Sequence, residues 1–214
     1  MMRVLWFLFF LVFNSRPILA AEADPAVFTG IDDPLVLPLL RTLYEKPGRW
    51  NVSPEDGRFL YNLVLQKGYK NGLEIGTSNG YSTLWLALAF RRNGGRLITI
   101  EVDRERATEA RENFRAAHLN DIIDSRLNDA YKEIPKLTGP FDFVFLDAWK
   151  ADNKRFLELV WPKVLKGGAI ASHNVIDLRS EMDDFLWHIK TSKELETKIY
   201  ETSSAGISVS VKLK

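Results

Sequence analysis

The stretch Asn71-Gly-Leu-Glu-Ile-Gly-Thr-Ser-Asn-Gly-Tyr-Ser-Thr83 decides how this chain folds. Leu73 and Ile75 read as a buried strand, the glycines as a turn, and a helix begins near Gly80. Gly76 and Gly80, with Ser78 between them, allow a tight turn and let a ligand approach the backbone. Free N–H groups at the start of the helix face that ligand. Glu74 ends the strand, in the crevice where open α/β sheets bind ligands. The pattern E-x-G-x-x-x-G is not the G-x-G-x-x-G of dinucleotide sites. Nor is it a P-loop, which needs the Gly-Lys-Ser/Thr missing here. An acid at this place repels pyrophosphate and suits a ligand bearing an ammonium group. The plainer alternative is that these residues only punctuate a strand, a turn and a helix.

Working outward, the same alternation repeats. Arg96–Glu101, Ile122–Leu127, Phe141–Asp147 and Ala169–Ser172 read as strands. Helices are expected over 82–92, 103–118, 130–137 and 153–165, and from about Arg179. Phe141-Asp-Phe-Val-Phe-Leu-Asp147 is almost continuously apolar, as suits a strand buried on both faces. Two further strands, 197–202 and 207–213, flank Ser203–Gly206 and read as a hairpin. Upstream, Leu35, Leu37, Leu39, Leu40 and Leu43 suggest a helix starting near Pro34 and kinked at Pro38. After a loop at Lys46–Trp50, Ser53-Pro54-Glu55-Asp56 supplies an N-cap, a first-turn proline and first-turn acids. Gly68 is the expected C-cap. Strands alternating with helices imply an α/β, doubly wound, mostly parallel seven-stranded sheet with an antiparallel C-terminal strand.

Bulk properties narrow the class. A chain of 214 residues, 46% hydrophobic, holds one α/β domain with small extras. A net charge of +1 without a recurring basic face argues against a nucleic-acid groove or a polybasic membrane surface. The absence of cysteine excludes disulfides, thiolate metal sites and cysteine nucleophiles. Arg3, the apolar run Val4–Phe13 and the small residues ending Ala20-Ala21-Glu22-Ala23 have the layout of a signal peptide over 1–23. Cleavage would place the protein in the periplasm or outside the cell. Left uncleaved, the segment would be an N-terminal membrane anchor. Residues 24–50 then form an N-terminal helical segment, and 51–214 the domain proper.

Acids close three of the expected strands, at Glu74, Glu101 and Asp147, and Asp129 follows the third strand, Ile122–Leu127, by a short turn. All four belong on the rim at the strands' carboxyl ends. Glu101 is placed to accept both hydroxyls of a ribose. Asp129 either meets an adenine or simply caps the helix starting at Ala130. S-adenosylmethionine, with its amine and sulfonium, is a ligand that such a rim suits.

From about Asn51 to its end the chain resembles the class I S-adenosylmethionine-dependent O-methyltransferases, most of all the catechol and caffeoyl-CoA type. The resemblance rests on Asn51-Val-Ser-Pro54, Leu73–Ser82, Ile98-Thr-Ile-Glu101, Asn128-Asp-Ala130, Phe141–Lys150, Gly167-Gly168 and Asn174-Val175, in that order. It implies a Rossmann-like fold, with Glu74 on the methionine amine and Ser82, near the Val52 backbone, on its carboxylate. It further implies Glu101 on the ribose, Asp129 at the adenine, Asp147 as a metal ligand, Lys150 as general base and Trp149 along the acceptor slot. The acceptor would be a small, phenolic or catecholic hydroxyl compound. Relatives of this type often dimerise, and residues 31–49 would supply the dimer or lid element.

One position departs from the family. An Asp-Asn pair is expected after the fifth strand, where this chain has His173-Asn174. Three readings follow. Asp147, His173 and Asn174 could hold a divalent cation, Mg or Mn, with preference moving toward imidazole-tolerant metals. His173 could itself be the base of a metal-independent enzyme. Or it is a strand-end histidine without a catalytic part. Two further functional readings stand beside the enzyme: a protein that binds S-adenosylmethionine without transferring its methyl group, and a nicotinamide-dependent dehydrogenase, which lacks its glycine pattern here.

Overall fold

The computed structural model describes residues 24–46 and 50–214. The expected signal or anchor over 1–23 lies outside the described residues, as does the loop at 47–49. No described helix is long and apolar enough to cross a membrane.

Seven strands arise where short apolar runs sit between turns: β1 (Asn71–Ile75), β2 (Arg96–Glu101), β3 (Ile123–Leu127), β4 (Phe141–Leu146), β5 (Val164–His173), β6 (Leu195–Tyr200) and β7 (Ile207–Lys212). They form one sheet in the order β3-β2-β1-β4-β5-β7-β6. All pairs from β3 to β5 are parallel. β7 runs antiparallel to both β5 and β6, so the C-terminal hairpin enters the sheet through its last strand. The strand order runs outward from β1 to β3 and then restarts on the other side of β1 with β4. That reversal leaves a crevice at the carboxyl ends of β1 and β4.

The α-helices are α1 (Val36–Glu45), α2 (Pro54–Lys67), α3 (Tyr81–Arg92), α4 (Arg104–Ala116), α5 (Ala130–Glu133), α6 (Asn153–Val160) and α7 (Asp183–Thr191). They cover both faces of the sheet. β4 shows why its sequence is apolar throughout. Phe143 and Phe145 join the core under α1–α3, while Val144 and Leu146 join the opposite core with Phe156, Phe185 and Ile189. Truncating Phe143, which has no solvent exposure, to alanine should cost about 3–5 kcal/mol. Residues 24–46 share the first core. Val36, Leu40 and Leu43 lie on one face of α1 and are buried, and Phe28 stacks on Trp85 at 5.7 Å. The apolar side of this segment is therefore turned into its own domain.

Several expected boundaries move, each for a local reason. Pro38 does not kink α1, because the helix starts at Val36 and the proline falls in the first turn, where no N–H is needed. Asp33 supports that start by accepting from Leu35 and Val36 N–H at 3.0 Å. The Lys166-Gly167-Gly168 turn lies within β5, as a register shift between its pairings to Phe141 and Phe143. α6 ends at Val160 and tightens into a 3₁₀ turn at Trp161–Lys163. α2 fits its expected caps: Ser53 accepts from Asp56 N–H, and Gly68 takes φ 68°.

Candidate active site

The turn after β1 is built by backbone ties at the switch point. Gly76 N–H donates to Ile100 O at 3.0 Å, and Asp147 N–H donates to Ile75 O at 2.9 Å. Gly76 has φ 101°, and a Cβ there would run into the carbonyl of Asp147. Gly80 has φ 89°, and a Cβ there would strike the Phe114 ring. Both glycines are thus required by packing within the protein, and Gly80 is not part of the cleft wall. Ser78, between them, has φ 50°, uncommon for a residue with a side chain.

Above this turn lies a cleft of about 750 Å³, walled by Gly76–Ser78, Ser82 and Val52. At one side stands Glu101, at the end of β2. Its Oε2 accepts from Ser78 N–H at 2.7 Å, and its Oε1 accepts from Val102 and Asp103 N–H at 3.0 Å. Three backbone donors hold the carboxylate in one orientation. Each oxygen keeps further acceptor capacity toward the cleft.

Glu74 does not line this cleft. It has no solvent exposure, and its two oxygens accept from Ser82 at 2.7 Å, Thr83 at 2.5 Å and Thr99 at 2.6 Å. Burial pushes its carboxyl up to about 7, although the three hydroxyls work in the opposite direction. These three hydroxyl contacts lock α3 to β1 and β2. Ser82, which donates to Glu74, does reach the cleft wall. Asp129 takes the capping alternative. Its Oδ1 accepts from Tyr131 N–H at 2.9 Å at the start of α5, and the residue stands outside the cleft wall.

The opposite side of the cleft carries a cluster of charged side chains. Lys150 Nζ donates to Asp147 Oδ1 at 2.7 Å, and His173 Nδ1 lies 3.4 Å from the same oxygen. His173 Nε2 is 3.0 Å from Asp56 Oδ2. Burial raises the Asp147 carboxyl, but Lys150 and His173 outweigh it and hold the group below its ordinary range. Burial likewise works against a charged His173 ring. Asp147 and Asp56 overcome it and raise the ring to about 9. Asn174, at φ 61°, donates its amide to Asp177 at 3.2 Å.

Asp147, His173 and Asn174, the expected cation set, are each engaged by other protein groups here. Among the described residues there is no cluster of three His, Cys, Asp or Glu arranged to hold a metal ion. The physical reason is local: Asp147 is taken up by two cationic partners, and both ring nitrogens of His173 face carboxylates.

Trp149 is exposed at the cleft mouth rather than packed in the core. It meets Trp50 edge-on at 6.4 Å, and the Arg106 guanidinium lies 4.9 Å from the Trp50 ring. Trp50, Arg106 and Asp56 had no signal in the sequence. Asp56 reads there as an ordinary first-turn acid, and its partner His173 lies 117 positions away. His118 and His188 stand outside the cleft, at the end of α4 and in the last turn of α7.

A doubly wound sheet with an acid at one side of its switch-point cleft and a lysine at the other has the Rossmann-like architecture of methyltransferases. Residues 30–198 match the O-methyltransferase family, and the chain belongs to it. A catechol O-methyltransferase of Niastella koreensis is 38% identical over 130 residues, covering 59% of this chain and 58% of that enzyme. A catechol O-methyltransferase of Mycobacterium tuberculosis is 32% identical over 163 residues, covering 74% of each. Among solved structures, an O-methyltransferase from Bacillus cereus in complex with SAH superposes with a TM-score of 0.71 at 29% identity, covering 83% of this chain and 88% of that one.

Proposed function

We propose that this protein moves the methyl group of S-adenosylmethionine to a hydroxyl of a small, planar phenolic or catecholic acceptor. The observation that carries the reading is one cleft with Glu101 on one side and the Asp147–Lys150 pair on the other. Glu101, fixed by three N–H donors, would accept the ribose hydroxyls. With Glu74 sealed away, Asp147 is the acid left to face the sulfonium side of the donor. The catechol O-methyltransferases among its relatives and the SAH-bound neighbour favour the same donor and acceptor class.

The reaction is an in-line displacement. The acceptor oxygen forms a bond to the methyl carbon, the carbon–sulfur bond breaks, and S-adenosylhomocysteine leaves as a neutral thioether. Lys150 takes the proton of the acceptor hydroxyl. Asp147 holds Lys150 toward the cleft at 2.7 Å. Trp149 and Trp50 at the mouth give a flat acceptor an apolar edge to lie against. Such alignment supplies much of the acceleration of a two-substrate reaction.

Calorimetric titration with S-adenosylmethionine tests the donor half, and a panel of catechols tests the acceptor half. Lys150→Met should leave donor affinity unchanged and lower kcat by about 10²–10⁴-fold. Unchanged turnover in that variant would remove the base from the scheme. Binding without transfer to any acceptor would favour a protein that only binds the donor.

A further inference from the structure

Four side chains from four parts of the chain close on one another at the cleft. Asp56 comes from α2, Asp147 follows β4, Lys150 opens the 3₁₀ turn after it, and His173 ends β5. His173 Nε2 lies 3.0 Å from Asp56 Oδ2, and its Nδ1 lies 3.4 Å from Asp147 Oδ1. Lys150 Nζ shares that Asp147 oxygen at 2.7 Å. Carboxylates and nitrogen bases therefore alternate, two of each.

Asp56 is positioned from outside the cluster. It has no solvent exposure. The hydroxyls of Thr202 and Ser203, on the loop between β6 and β7, donate to it, Ser203 at 2.6 Å. One Asp56 oxygen thus faces Thr202, and the other is shared by Ser203 and the His173 ring. An ionised carboxylate only accepts hydrogen bonds, so Nε2 turns a hydrogen toward Asp56, while Nδ1 lies within ion-pair reach of Asp147. A ring donating from both nitrogens has no lone pair for a metal, which binds the neutral imidazole.

We propose that Asp56 is a positioning residue that fixes His173 as a doubly donating ring, so that the ring, joined by Lys150 once it has taken the acceptor proton, supplies beside Asp147 the positive charge a divalent cation would otherwise bring, and methyl transfer needs no metal. The proposal rests on the methyltransferase reading for its reaction, while the cluster's geometry stands apart from it. Fixed positive groups at the acceptor end stabilise the negative charge that deprotonation leaves on the acceptor oxygen, without solvent reorganisation.

The test uses the ring itself as reporter. The chain has three histidines, so ¹⁵N-labelled protein and a His173→Asn comparison assign the His173 signals. In the wild type both ring nitrogens should be protonated at neutral pH, and Mn²⁺ should not broaden them. Turnover should survive a chelator unchanged. Asp56→Asn, with its melting temperature recorded as a folding control, should lose one ring proton. Its kcat should drop roughly tenfold to a hundredfold, the range outer-shell partners command, with KM for the donor unchanged. His173→Asp exchanges the ring for a carboxylate and should gain saturable Mn²⁺ binding. Saturable Mn²⁺ binding that broadens His173 in the wild type would overturn the proposal. So would turnover lost to the chelator and restored by Mg²⁺ or Mn²⁺, or an Asp56→Asn ring that keeps both protons. If S-adenosylmethionine does not bind at all, the methyltransferase reading fails, and the ring and Mn²⁺ measurements still judge the cluster.

Discussion

Raising the pH from 6 to 10 should destabilise this protein through His173 by an amount the site geometry sets. Burial alone would lower the affinity of the ring for its proton. Asp147 and Asp56 reverse this and raise the ring from 6.5 to about 9. Each tenfold change in proton affinity is about 1.4 kcal/mol, so the charged ring contributes roughly 3 kcal/mol. The sign follows from a folded-state value above the unfolded one. The contribution is fully present below about pH 6.5, declines as the pH rises, and is gone once the pH passes about 9. His173 is 5% exposed, so solvent screening removes little of it. For a domain of this size, 3 kcal/mol is a fall in Tm of roughly 6–12 °C. Thermal unfolding of the wild type and His173→Asn between pH 6 and 10 measures it. The wild type should lose the extra stability across this window, and the variant should start lower and change less. Parallel curves for the two proteins would refute a charged His173 held between two carboxylates.

Other perturbations separate the roles of neighbouring residues. Gly76→Ala should cost about 2–5 kcal/mol, since φ 101° strains any side chain and its Cβ meets a backbone carbonyl that cannot yield; a Tm within a degree of wild type would contradict this. Glu74→Gln should lower stability, because its three hydroxyl donors lose a charged acceptor, yet keep S-adenosylmethionine affinity within a few-fold by calorimetry. A hundredfold loss there, with Glu101→Gln harmless, would return Glu74 to the ligand. Trp149→Ala should leave Tm nearly unchanged, because the residue is 69% exposed, while raising KM for the acceptor several-fold and leaving the donor affinity alone.

The sequence alone determined the order of strands and helices, the parallel sheet with its terminal hairpin, and the rim on which Glu101 and Asp147 stand. Those features follow from local pattern. Leu73–Ile75 and Phe141–Leu146 are apolar at strand spacing, Ser53-Pro54 can only open a helix, and a strand's last residue is placed by the strand that carries it. The direction in which Glu74 points was not local. Glu74 turns inward because Thr83 and Thr99, from a helix and a neighbouring strand, offer it hydroxyls. Asp129 caps its own helix instead of facing the cleft. The fate of His173 was the least visible of all. An imidazole can serve as ligand, base or cation, and its partners choose among these. Asp56 stands 117 positions away on α2, and Thr202 and Ser203 steady it from the far hairpin. Only the folded sheet brings these groups within hydrogen-bond reach, and the electrostatics of that meeting decide what the site can hold.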